Sequence, residues 1–153
     1  MNRFLSLAIS IIGLVALAIG VVFIIEGFSK NNLITDRMKV EQVTLAVDPN
    51  NPTQTTQIKN SADAQKAADL IAEHRRSIAP TYQDLLGGGQ FDPTNTKDLI
   101  YAQAMNLENY LYLAVTAFGL VQVVLATGAF MILVGIGLGL VGLVLYRMPV
   151  KQS

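Results

Sequence analysis

The chain has no cysteine, no tryptophan and a single histidine among its 153 residues. Without cysteine there is no disulfide, so any domain outside the cell must be held by packing alone. One histidine leaves little from which to build a metal centre. The run Glu73-His74-Arg75-Arg76 lacks the second histidine, four residues on, that a zinc-protease helix needs. Gly87-Gly88-Gly89 is followed by no Lys-Ser/Thr pair and preceded by no expected strand, which argues against a phosphate-binding loop. No Ser, His and Asp set is legible for nucleophilic catalysis. Arg75-Arg76 is a pair and not a basic patch, so nucleic acid is not expected as a partner. The expectation is a protein with no catalytic, cofactor-binding or metal-binding residues, and not an enzyme.

Charge is missing from two long stretches. Phe4 to Ile25 is 22 residues without a charge, and Ala114 to Tyr146 is 33, with Gln122 as its one strongly polar side chain. The first makes about 33 Å of helix, enough to cross a hydrocarbon core of about 30 Å. Asn2-Arg3 followed by an apolar run also fits a signal peptide. The run exceeds a usual signal core, however, and no A-x-A cleavage site follows it, so an uncleaved span is expected. With no ionisable residue inside either stretch, a proton relay or ion path lacks its usual marker.

The remaining charge is unevenly placed. The ends carry Arg3, Arg147 and Lys151 and no acid, while Glu26 to Glu108 holds all 11 acids and 8 bases, a net of −3. The positive-inside rule then puts both termini in the cytoplasm and the centre outside. The expected division is a cytoplasmic N-terminus at 1–3, a first transmembrane helix at 4–25, an external domain at 26–112, a second transmembrane helix at 113–146 and a cytoplasmic tail at 147–153.

Glycine recurs every seventh residue in both apolar runs: Gly13, Gly20 and Gly27, then Gly128, Gly135 and Gly142. Seven residues are two helical turns, so each set forms a smooth stripe where another backbone can come close. In an antiparallel hairpin, a register in which paired numbers add to 148 sets Gly13 against Gly135, Gly20 against Gly128 and Ser6 against Gly142. Gly135-x-x-x-Gly139 and Ala16-x-x-x-Gly20 offer further small faces for another subunit or a partner. In that register Glu26 and Gln122 come level at the outer boundary on opposite flanks. They reach headgroups or contact a neighbouring subunit, and do not bond each other.

Helical patterning continues ahead of the second span through Ile100, Ala104, Leu107, Leu111, Ala114 and Phe118. Thr94-Asn95-Thr96 supplies caps and Asp98 a first-turn acid. One helix from about Thr96 to Arg147 is expected, its 97–112 portion a stalk in the external domain. Tyr101 is expected to pack in that stalk, whereas Tyr110 and Tyr112 suit an interfacial belt. Val43 to Val47 alternates as a strand would, Asp48 to Pro52 ends it, and Thr53 to Asn60 reads as a loop. A helix over 61–78 starts with Ser61 as N-cap and is stopped by Pro80, with Ala64, Ala67, Ala68, Ile71, Arg75 and Ile78 on one side. The fold class is mainly α: an antiparallel two-helix transmembrane hairpin with a small external α(+β) domain built on the extended second helix.

Four stretches, in order, resemble a family of small two-span bacterial membrane proteins, often mislabelled aromatic ring-opening dioxygenases. They are Leu33-Ile34-Thr35-Asp36 leading to Val40, Ala67 to His74, Thr81 to Leu85, and Asp92-Pro93 through Ala104-Met105-Asn106 to Ala117-Phe118-Gly119. The resemblance implies the two-span topology but no activity, because one histidine and no cysteine do not build the metal centre of that label. The arginines that the family carries after its Asp-Pro and before its second span are absent here. The functional expectation is a non-catalytic membrane scaffold or accessory subunit, in contact with lipid and with other membrane subunits or itself. The alternatives are an external module that captures a ligand around Tyr82, His74 and the tri-glycine turn, and a self-assembling homo-oligomer.

Overall fold

The computed structural model describes residues 2–48 and 51–148, with side chains at 3–44 and 55–148. The tail with Lys151 and Ser153, Pro49 and Asn50, and the side chains of Leu45, Ala46 and Val47 lie outside the described residues. The elements are α1 (Asn2–Val40), β1 (Thr44–Asp48), β2 (Asn51–Gln57), α2 (Ser61–Ile78), α3 (Tyr82–Leu86) and α4 (Thr96–Arg147). The protein is thus mainly helical, and α1 and α4 are long and apolar enough to cross a membrane. The chain divides into two units, residues 1–31 with 120–153 and residues 32–119, and both long helices contribute to each.

Helix α1 runs well past Ile25, where the uncharged stretch ends. Ile34 and Met38, one turn apart, pack against the core of the second unit and give that extension an apolar stripe. Arg37 and Lys39 lie in the last turn, where positive charge suits the helix dipole. The helix then stops in a six-to-one closure. The Val43 amide donates to the Met38 carbonyl at 2.9 Å and the Gln42 amide to the Lys39 carbonyl at 3.1 Å. Gln42 takes the left-handed backbone this closure requires, with φ of 53°. Val43 and Met38 both pack on the core, which is the apolar contact that usually accompanies such an ending.

Strands β1 and β2 pair antiparallel, Thr44 with Gln57 through Asp48 with Asn51, with an irregularity between Ala46 and Asp48. The polar stretch expected as a loop is therefore a strand as far as Gln57. Its threonines are β-branched and at ease in extended backbone, and ladder bonds to β1 satisfy the peptide groups on the edge that faces it. Ile58, at its end, is fully buried and ties the ribbon to the core.

Helix α2 is capped by Asn60, one residue before the expected Ser61. The Asn60 side chain accepts from the Asp63 amide at 2.9 Å, whereas the Ser61 hydroxyl donates to the Val115 carbonyl of α4 at 3.3 Å. The helix ends at Ile78, ahead of Pro80. The short α3 was not legible as a helix. It is held by a capping box between Thr81 and Asp84 and closed by Gly87 in the left-handed region. Before α4, the Asp92 carboxylate accepts from the Thr94 hydroxyl at 2.7 Å and amide at 2.8 Å. Those bonds hold its pKa below the ordinary value. A depressed carboxyl stabilises the turn above the usual carboxylate range, and that help is lost as pH falls through the lowered value.

The core of residues 32–119 is Ile58, Ala64, Ala67, Ala68, Leu111, Ala114 and Phe118. Alanine dominates the α2 side, so bulk must come from α4.

Gln42→Gly should stabilise the second unit, because a left-handed residue with a Cβ costs about 1 kcal/mol that glycine avoids. Slower amide exchange at Val43 in the variant would register the gain.

Candidate functional site

The side chains that carry chemistry fall into a glycine seam in one unit and a buried polar cluster in the other.

In the first unit, the packing is set by what glycine lacks. A Cβ on Gly13 would lie 2.9 Å from the Gly135 carbonyl oxygen and 2.9 Å from the Gly139 amide nitrogen. On Gly20 it would lie 2.8 Å from the Gly128 oxygen, and on Gly135 2.7 Å from the Gly13 oxygen. Such distances are closer than a side chain tolerates, and the obstacles are backbone atoms with nowhere to go. The Ser6 hydroxyl, almost fully buried, donates to the Gly142 carbonyl at 2.6 Å. The structure thus brings together Gly13 with Gly135, Gly20 with Gly128 and Ser6 with Gly142. Gly27 meets the Leu125 side chain, a softer neighbour. Gly139 offers its backbone to Gly13, yet a Cβ of its own would meet nothing within 4 Å, and the same holds at Gly137. Glu26 and Gln122 are both exposed.

In the second unit, Arg75 reaches from α2 to α4. Its Nε donates to Glu108 Oε2 at 2.6 Å and its Nη1 to the Tyr101 hydroxyl at 2.5 Å. The guanidinium carbon also lies 5.1 Å from the centre of the Tyr101 ring. The Arg75 and Glu108 side chains are only 13% and 10% exposed, and Tyr101 is fully buried. The hydrogen bond to Glu108 leads in raising the arginine pKa above its ordinary value, against desolvation. A second nitrogen, Nη2, donates to Glu108 Oε1 at 3.4 Å, so the ion pair is two-armed, with one short arm and one long. Sequence reasoning placed Arg75 on the apolar side of α2 and Tyr101 in the stalk but missed their partner. The available signal was Glu108, the last acid in the chain, one heptad beyond Tyr101.

Tyr82 of α3 tilts against Tyr101, ring centres 6.3 Å apart. His74 is exposed and lines a shallow hollow with Ile78, Thr96, Lys97 and Ile100. Gly87 and Gly88 have positive φ and open space where a Cβ would be. Among the described residues, no three His, Cys, Asp or Glu side chains are grouped as metal ligands would be.

Two contrasts test these arrangements in purified full-length protein. Gly20→Ala should destabilise by about 1–3 kcal/mol through overpacking. Gly137→Ala should be neutral or stabilising, since alanine is the better helix former and meets no obstacle. Thermal melts in mild detergent compare them. Arg75→Met should cost about 3 kcal/mol by leaving the Glu108 carboxylate buried and unpaired. The double variant Arg75→Met/Glu108→Leu should recover part of that loss, read as protease resistance of the 32–119 unit.

No protein-family model, curated protein or solved structure matches the chain.

Proposed function

We propose that this protein is a non-catalytic integral membrane scaffold or accessory subunit, working through helix contacts in the bilayer and through a small external domain. The observation that carries the reading is the apolar surface of α1 and α4. Only 17% of the most apolar stretch of each helix is buried. Phe4, Leu14, Phe130 and Leu133 are all more than 60% exposed. A core helix of a soluble protein hides such side chains; helices that are apolar all round belong in lipid or against other apolar helices.

The finer arrangement follows from the same residues. An antiparallel hairpin is supported by the contacts Ser6–Gly142, Gly13–Gly135, Gly20–Gly128 and Gly27–Leu125, in which numbers rise along α1 as they fall along α4. The orientation, termini inside and residues 26–112 outside, rests on the basic ends and the acidic centre. Gly13, Gly20, Gly128, Gly135 and Gly142 serve the hairpin, and the open face at Gly139 is left for a second helix. Glu26 and Gln122, on opposite flanks at the outer boundary, are contacts to headgroups or a neighbouring subunit.

Two experiments bear on this reading. The chain has no cysteine, so single cysteines label without background. A membrane-impermeant thiol reagent should modify Thr55→Cys in intact cells and miss Ser153→Cys; the reverse pattern overturns the orientation. Purification in gentle detergent followed by mass analysis should recover a complex with other membrane proteins. Gly139→Leu should weaken that complex while leaving the hairpin folded, whereas recovery of a lone monomer rejects the accessory role.

A further inference from the structure

Within residues 32–119, the last turns of α1 and the 107–117 stretch of α4 enclose an open groove of about 750 Å³. That volume falls in the usual range for small-molecule sites, roughly 300–1,000 Å³. Its floor is the core itself, through Ile34, Met38 and Ala114.

The lining sorts by position along both helices. Leu33 and Ile34 on α1, with Leu113 and Ala117 on α4, make the end nearer in sequence to the two uncharged runs. Arg37, Glu41 and Tyr110 line the other end, together with Met38, Val43 and Leu107. Both of the groove's charged side chains lie at one end and none at the other, which is the pattern of an amphiphile. The polar groups narrow the choice further. Arg37 and Glu41 are four residues apart, and the Glu41 amide still donates to the Arg37 carbonyl at 3.1 Å, so the helical spacing holds between them. Residues so spaced have Cβ atoms about 5–6 Å apart on one face. Among the described residues the one ion pair is Arg75–Glu108, so the Arg37 guanidinium and Glu41 carboxylate are not committed to each other. A positive and a negative group side by side match a headgroup that carries both signs a short spacer apart.

We propose that this groove binds one phospholipid with a phosphoethanolamine headgroup. One acyl chain lies along Leu33, Ile34, Leu113 and Ala117, with the phosphate on Arg37 and the ammonium on Glu41. The Tyr110 ring and hydroxyl border the junction between chain and headgroup, a position that suits an amphipathic aromatic. The inference rests on the membrane reading above. It does not depend on a protein partner.

The test uses the full-length chain in mild detergent, offered phosphatidylethanolamine or phosphatidylglycerol of the same acyl chains, with bound lipid counted by native mass spectrometry. One phosphatidylethanolamine should stay bound under conditions that strip phosphatidylglycerol. Ala117→Trp, which fills the groove, should abolish that retention with helical content unchanged. Arg37→Glu, an exposed change, should reduce it by roughly fivefold. Equal retention of the two lipids, or wild-type retention by Ala117→Trp, overturns the proposal. Fractionation separates the two readings. Protein recovered outside the membrane fraction defeats the membrane reading, whereas membrane-bound protein that shows no lipid preference defeats the groove alone.

Discussion

Backbone against backbone is the contact on which the first unit depends. The Gly128 carbonyl oxygen occupies the space a Gly20 side chain would need, and the Gly135 oxygen does the same at Gly13. In a hydrocarbon medium, leaving the solvent gains two helices little, because lipid tails are as apolar as leucine. What remains is dispersion, which falls away within an ångström of extra separation, and hydrogen bonding such as Ser6 to the Gly142 carbonyl. Both require close approach, and glycine at two-turn intervals permits it.

The second unit solves a different problem. It has few large apolar residues, and α2 offers only alanines as its fully buried positions. Leu111, Phe118 and the buried body of Tyr101 supply the missing volume from α4. The ribbon of β1 and β2 adds Ile58, and the last turns of α1 add Ile34 and Met38. A small domain without disulfides buries a modest share of its surface, and this one borrows its core from helices that extend beyond it.

Much of this could be read from the amino acids because it rests on local patterning. The uncharged runs, the seven-residue glycine spacing and the stop at Pro80 are properties of neighbouring residues. So is the helical stripe from Ile100 to Phe118. The features that escaped depend on partners distant in sequence. The extension of α1 past Ile25 is stabilised by the packing of Ile34 and Met38 on a cluster whose members begin at Ile58 and reach Phe118. Thr53 to Gln57 is polar enough for a loop and becomes a strand because β1 lies beside it. Asn60 takes the cap since Ser61 is turned toward Val115. Arg75 falls on the apolar side of α2 by its spacing, but the carboxylate that meets it there, Glu108, belongs to another helix. No local pattern links residues 33 apart.

The alanine face of α2 has a further consequence, for sliding. Ala64, Ala68 and Ala72 recur every four residues and are all buried. Moving α2 one turn along its own axis, about 5.4 Å, would put one methyl where another had been. Knobs this uniform make a nearly featureless track, and packing alone would tolerate several settings. Arg75 breaks that degeneracy. Its guanidinium meets Glu108 and Tyr101 together in one setting, and in any other it would be drawn from water without a counter-charge. An ion pair that adds little net stability can still act as a detent, selecting one position from a ladder of equivalent ones.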